Sequence, residues 1–143
     1  MEFNDLQEVN REFNQLITYV SDDKKYHVSE QWEDASEHEY QGDCEDFSLA
    51  KLHELVRRGW PIEKLRLTFC WVEREADDSG HAVLVAEHDN RLWVLDNRFN
   101  QLREVPECMD YVWNTTQEVG GSQKWIACRK VFSQYYETTL PPE

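Results

Sequence analysis

The chain has no cysteine pair at C-x-x-C spacing, and its four cysteines, at positions 44, 70, 108 and 128, lie far apart. That excludes the usual zinc-site and thioredoxin-type patterns. In a reducing compartment these thiols stay free, and Cys70 and Cys128, inside apolar runs, read as small buried hydrophobes. No apolar run reaches membrane-spanning length, so no membrane insertion is expected. The first residues, Met1-Glu2-Phe3-Asn4-Asp5, lack the basic and apolar regions of a secretory leader. They set a cytoplasmic location as the expectation, or a periplasmic one were a leader to precede residue 1. Basic residues are scarce: 15 Lys and Arg stand against 29 Asp and Glu, a formal net charge of −14. So acidic a surface repels phosphate backbones, and nucleic acid is not expected as a partner. Repeats and low-complexity segments are absent. The 40% apolar and 13% aromatic content supplies a core for one domain over residues 1–143, with 138–143 expected as a frayed tail.

What is present is organised around one short stretch, Gly42-Asp43-Cys44-Glu45-Asp46-Phe47. After it, Phe47, Leu49, Ala50, Leu52, Leu55 and Val56 recur at helical spacing, with Ser48, Lys51, His53, Glu54, Arg57 and Arg58 as the polar positions between them. Gly59 and Pro61 are stop signals, which predicts a helix over residues 44–58. Cys44 then lies in the first turn, where unpaired N–H groups and the positive end of the helix dipole favour a thiolate.

The rest of the chain supplies a frame. Leu6, Val9, Phe13, Leu16, Ile17 and Val20 predict an amphipathic helix over residues 5–20. Residues 24–41 are polar and aperiodic and read as a long loop, with a turn of helix around 31–35 and Tyr26, Trp32 and Tyr40 as anchors. Residues 65–72 read as a strand with Leu65, Leu67, Phe69 and Trp71 on one face, followed by a turn over 76–80. His81 opens a second strand, Ala82 to Ala86, apolar enough to be buried on both faces. Asp89-Asn90 is a hairpin signal, and Arg91 to Leu95 returns antiparallel to deliver Asp96. Residues 97–122 read as turns with Tyr111 and Trp113 as anchors, and 124–132 as a last strand. Trp93 and Trp125 are assigned to the core, and His27, His38, His53 and His88 to the surface. The expected class is α+β, with the Cys44 helix packed by its N-terminus on an antiparallel sheet.

The hairpin places His81 and Asp96 at the same end of that sheet. A cysteine at a helix start, a histidine and a carboxylate make a nucleophile, a base and an orienting group. The Cys44 backbone N–H is one oxyanion donor, with the Trp32 indole or the Gln31 amide as candidates for a second. Asn97 either orders the strand end or caps a turn.

The blocks Gly42-Asp43-Cys44-Glu45-Asp46-Phe47, His81-Ala82-Val83-Leu84 and Val94-Leu95-Asp96-Asn97 resemble, in that order, the three motifs of the bacterial transglutaminase-like cysteine peptidases. Val9-Asn10, Phe13-Asn14, Ile17, Tyr19 and Trp32 are similar to that family's N-terminal region, and the resemblance spans residues 9–130. It implies a papain-like, transglutaminase-like fold with Cys44, His81 and Asp96 as the triad. It also implies calcium near the nucleophile, with Asp43, Glu45 and Asp46 at the matching positions. Three carboxylates flanking a thiol disfavour its thiolate, and a cation with oxygen ligands reverses that effect. Otherwise Glu45 and Asp46 complement the helix dipole and point away from the sulfur. The chain is shorter than periplasmic members of the family and shows no leader, so their adhesin substrate does not carry over. It resembles compact versions carried by phages and prophages.

The expected activity is thiol-dependent acyl transfer on a polypeptide substrate: Cys44 attacks a backbone amide and water resolves the thioester. The same triad suits glutamine amide chemistry, as a transglutaminase or deamidase. Outside the enzymes, the alternative is a non-catalytic calcium- or protein-binding module.

Overall fold

The computed structural model describes residues 2–16, 18–19, 41–42, 44–72 and 80–136, with the backbone alone at 18–19 and 41–42. Helix α1 runs over Phe3–Leu16 and buries Leu6, Val9 and Asn10. It ends four residues before the expected boundary. Leu16 is already 50% exposed, so further turns would bury little on that face, and Thr18–Tyr19 instead form β1, paired in parallel with β2, Gln41–Gly42. The β-branched and aromatic residues at 18 and 19 suit that conformation. Helix α2, Cys44–Arg57, closes as its sequence predicts. Gly59 adopts φ +101°, its N–H bonds Val56 O, and the Trp60 N–H bonds Leu55 O, both at 3.0 Å. This is a Schellman stop, with buried Trp60 as its hydrophobic plug.

Six antiparallel strands follow: β3 (Leu65–Val72), β4 (Gly80–His88), β5 (Arg91–Asp96), β6 (Phe99–Glu104), β7 (Tyr111–Gln117) and β8 (Trp125–Ala127). Their order across the sheet is β6-β5-β4-β3-β7-β8, which puts the strand of His81 near the centre. Asp89 and Asn90 both take positive φ, 54° and 60°, as a two-residue type I′ hairpin requires. Two expectations are corrected here. Residues 97–122 hold two strands, β6 and β7, whose polar sequences FNQLRE and YVWNTTQ hide the alternation. Residues 124–132 hold a three-residue strand and then helix α3, Cys128–Phe132, because Cys128, Val131 and Phe132 at helical spacing all turn into the core.

Each face of the sheet is covered. On one, Leu6 and Val9 of α1 and Leu52 and Leu55 of α2 pack over Leu65, Leu67, Leu84 and Leu95. On the other, Cys70, Val83, Val85 and Val94 meet Tyr111, Trp113 and the apolar residues of α3. Each fully buried aliphatic side chain contributes about 2 kcal/mol. The segment after β7 runs so close to the 62–65 backbone that a Cβ on Gly120 would strike Ile62 O and Leu65 O. His88 is half-buried between the rings of Phe3 and Trp60, at 5.5 and 6.0 Å, a correction to its surface assignment. The expected helical turn at 31–35, the turn residues 76–79, the tail 138–143, and Tyr26, His27, Trp32, His38 and Tyr40 lie outside the described residues.

Candidate active site

Cys44 opens α2 and is half-buried, while the other three cysteines are buried. Its Sγ accepts the backbone N–H of Ala82 at 3.3 Å. That donor, from the strand carrying His81, adds to the positive end of the α2 dipole in favouring a negative sulfur. Burial pushes the Cys108 thiol up to about 12 and raises Cys70 further still.

His81 Nε2 and Asp96 Oδ1 are 2.9 Å apart. Both side chains are buried, at 8% and 2% exposure, so their bond is shielded from water. The same Oδ1 accepts the Arg98 N–H at 2.8 Å, and Oδ2 faces Arg103 Nη2 at 4.0 Å. Burial pushes the Asp96 carboxyl up, but the His81 bond and charge, the Arg98 N–H and the Lys51 charge outweigh it and leave the pKa below the ordinary value. Tyr111 sets its ring edge-on to His81 at 6.0 Å and accepts from Arg103 through its hydroxyl at 3.0 Å. Asn97 sits in the β5–β6 turn, and among the described residues its Oδ1 has no hydrogen-bond partner. The turn is ordered instead by the Arg98 N–H and by Asn14, whose Nδ2 donates to Asp96 O at 2.9 Å.

Beside His81 opens a cleft of about 560 Å³, lined among others by Glu45, Phe69, Trp71, Asn114 and Trp125. Trp71 is 46% exposed and Trp125 37%, and the rings of Phe69 and Trp125 lie 5.3 Å apart. Trp125 is thus a cleft wall, a correction to its assignment to the core. It sits on the edge strand β8, where one face stays open.

The oxyanion candidates Trp32 and Gln31 and the metal candidate Asp43 lie outside the described residues. Glu45 is half-buried at the cleft, and Asp46 is fully buried one position on. Both offer oxygen donors of the kind a hard cation takes. Among the described residues no group of three or more His, Cys, Asp or Glu comes together to hold a metal.

The sequence assigned no site role to Lys51, a polar position of α2, or to Asn10 and Asn14, which entered only through the N-terminal resemblance. Lys51, fully buried in α2, donates from Nζ to Asn10 Oδ1 at 2.8 Å. The signal was present: Phe47, Lys51 and Leu55 fall four residues apart on one helix face, and the middle one is charged.

A helix-borne cysteine at the rim of an antiparallel sheet, beside a hydrogen-bonded histidine and aspartate, defines the transglutaminase-like class of cysteine hydrolase fold. The chain belongs to the bacterial transglutaminase-like cysteine proteinase family, BTLCP, whose model matches residues 1–131, and it is a cysteine peptidase. Its fold is that of Legionella pneumophila LapG. Against calcium-bound LapG the TM-score is 0.73 at 23% identity, covering 88% of this chain and 68% of that one. A second LapG structure gives 0.71 at 22% identity, covering 92% and 74%, and an EGTA-treated one gives 0.68 at the same identity and coverage. No curated protein sequence matches the chain.

Proposed function

We propose that this cysteine peptidase is an endopeptidase in which Cys44 is the nucleophile, His81 the general base and then acid, and Asp96 the group that orients His81. One observation carries the reading: the 2.9 Å contact of His81 Nε2 with Asp96 Oδ1 lies on the strand whose Ala82 N–H holds the Cys44 sulfur. With Nε2 committed to Asp96, Nδ1 is the nitrogen that serves the thiol. His81 takes the Cys44 proton, and the thiolate attacks the carbonyl carbon of a peptide bond. The carbonyl oxygen gains the electron pair and is held in part by the Cys44 backbone N–H. Collapse breaks the C–N bond, and the imidazolium gives its proton to the leaving amine. His81 next draws a proton from water, the hydroxide attacks the thioester, and collapse releases the carboxylic product and restores Cys44.

The aromatic cleft favours an extended polypeptide with a large apolar side chain near the scissile bond, seated between Trp71 and Trp125. Calcium, present in one LapG structure, suits the acidic donors beside the nucleophile. Asp43, Glu45 and Asp46 would hold it, and its charge would offset theirs next to the thiolate.

The test is the rate of iodoacetamide alkylation at each cysteine against pH, with calcium and with chelator, located by peptide mapping. Cys44 is expected to react selectively well below the ordinary thiol pKa of about 8.5, and His81→Ala is expected to lose that selectivity. Uniformly slow reaction of all four cysteines would sink the enzyme mechanism and favour a binding module. Loss of selectivity in chelator supports the cation, and equal rates with and without calcium remove it.

A further inference from the structure

Helix α2 carries a lysine where its buried stripe calls for a hydrophobe. Lys51 is 0% exposed. An ammonium group is costly to bury unless it is paired, and a core position is filled more stably by methionine or leucine. The surroundings of Lys51 account for its presence. Its Nζ donates to Asn10 Oδ1 at 2.8 Å and lies 5.7 Å from the centre of the Phe47 ring. Lys51 and Asp96 act on each other's charge. Asn10, also 0% exposed, donates from Nδ2 to Phe99 O at 2.9 Å and Asn100 O at 3.0 Å. Asn14, one turn further along α1, donates to Asp96 O at 2.9 Å. The nucleophile helix, α1 and the turn after Asp96 are therefore tied through three side chains, all acting on the carboxylate or on the backbone that presents it.

We propose that Lys51, held by Asn10, is a positioning residue for the reaction: it is a buried counter-charge to Asp96, and with Asn10 and Asn14 it locks the Asp96 turn to the helix that carries Cys44. The inference rests on the assignment of Cys44, His81 and Asp96 as the reacting set. It assigns Lys51 a part that Arg103 cannot fill, since Arg103 keeps its charge at all working pH values. Burial pulls the pKa of Lys51 down to about 7, with Asp96 pulling it back up. Lys51 therefore gains and loses its charge in the neutral range, and each change alters the field that Asp96 exerts on His81. The groups that act on it are the neutral Asn10 from α1, Asp96 from β5, and Phe47 one turn earlier on its own helix. His81 of β4 and Arg103 of β6 act on Asp96 from their own sides.

The test is the pH profile of Cys44 alkylation by iodoacetamide in wild type, Lys51→Met and Lys51→Arg. Wild type is expected to show an inflection near pH 7 that both variants lack. Lys51→Met is expected to follow its high-pH limb and Lys51→Arg its low-pH limb, the two differing by roughly threefold or more at neutral pH. A filler of core space would not order the variants by charge. A measurement on the side chain itself holds even if a variant fails to fold: carbon-13 NMR of the lysine ε-carbons. One lysine is expected to titrate in the neutral range, and its midpoint is expected to rise by roughly half a unit or more in His81→Ala, where Asp96 loses its imidazole partner. Lysine midpoints all in the ordinary range, or a midpoint unmoved in His81→Ala, overturn the proposal. Profiles indistinguishable among the three Lys51 proteins do so as well, while the triad stands if His81→Ala abolishes selective alkylation. His81→Ala reacting like wild type overturns the triad itself.

Discussion

The side-chain amide of Asn14 donates to the backbone carbonyl of Asp96 at 2.9 Å, across 82 residues of chain. The same Nδ2 reaches Phe99 O at 3.0 Å. A helix near the start of the chain thus holds the backbone of the residue that bonds His81. Asn14→Ala is expected to cost about 1 kcal/mol of stability and to lower kcat on a peptide substrate with little change in KM. Thermal unfolding and steady-state kinetics check both. A change in KM alone would show that the bond serves the cleft and not the carboxylate.

Lys51 fixes the sign of one pH effect on stability. Its pKa is about 7 in the folded chain against an ordinary 10.5. Between those values the unfolded chain holds a proton that the folded chain lacks, so this group makes stability rise with pH across that window. Lys51→Met removes the contribution. Wild type is therefore expected to gain on the variant as pH is raised from about 7 toward 10, read as the difference in urea midpoints at matched slopes. A difference that stays constant over that range would mean Lys51 remains protonated in the fold.

Gly120 tests the packing of the β7–β8 connection. A methyl group there meets the backbone oxygens of Ile62 and Leu65, which no side-chain rotation can relieve. Gly120→Ala is expected to lose several kcal/mol, enough to lower the melting temperature sharply in circular dichroism. Gly121→Ala is expected to be milder, because its close neighbours are side-chain atoms of Ile62, although its φ of +84° keeps it strained. Equal losses at the two sites would show that backbone conformation and not close approach sets the cost.

Trp125 and Trp71 wall the cleft from solvent-exposed positions, so their removal leaves the core intact. Trp125→Ala and Trp71→Ala are each expected to weaken kcat/KM for peptides with a large apolar side chain by roughly tenfold. The effect on peptides with alanine at that place, and on iodoacetamide alkylation of Cys44, is expected to be small. Cleavage of acidic and basic peptides at low salt separates this pocket from the field of the −14 surface. Loss of activity on every peptide alike would assign the tryptophans to folding.

Much of the frame was legible because local rules decide it. Cys44 to Gly59 announces a helix by its apolar period and stop signals, and Asp89-Asn90 announces a hairpin by its tolerance of positive φ. Strands β6 and β7 were not legible. Their residues are mostly polar, and β7 is a strand because it pairs with β3, a partner far away in sequence. Helix α3 read as a strand because Cys128, Val131 and Phe132 are apolar in either conformation, and only the surface beneath them selects helical spacing.

The sequence by itself determined the residue that opens α2, the hairpin that brings His81 and Asp96 together, and the family to which the chain belongs. Those features depend on residues close in the chain or on short motifs. Only the tertiary structure decided that Lys51 is buried against Asn10 and that Trp125 faces a cleft. It also decided that Asn14 holds the Asp96 backbone. A polar side chain on a helix reads as solvated until a second element covers it, and whether one does depends on packing between segments far apart in sequence.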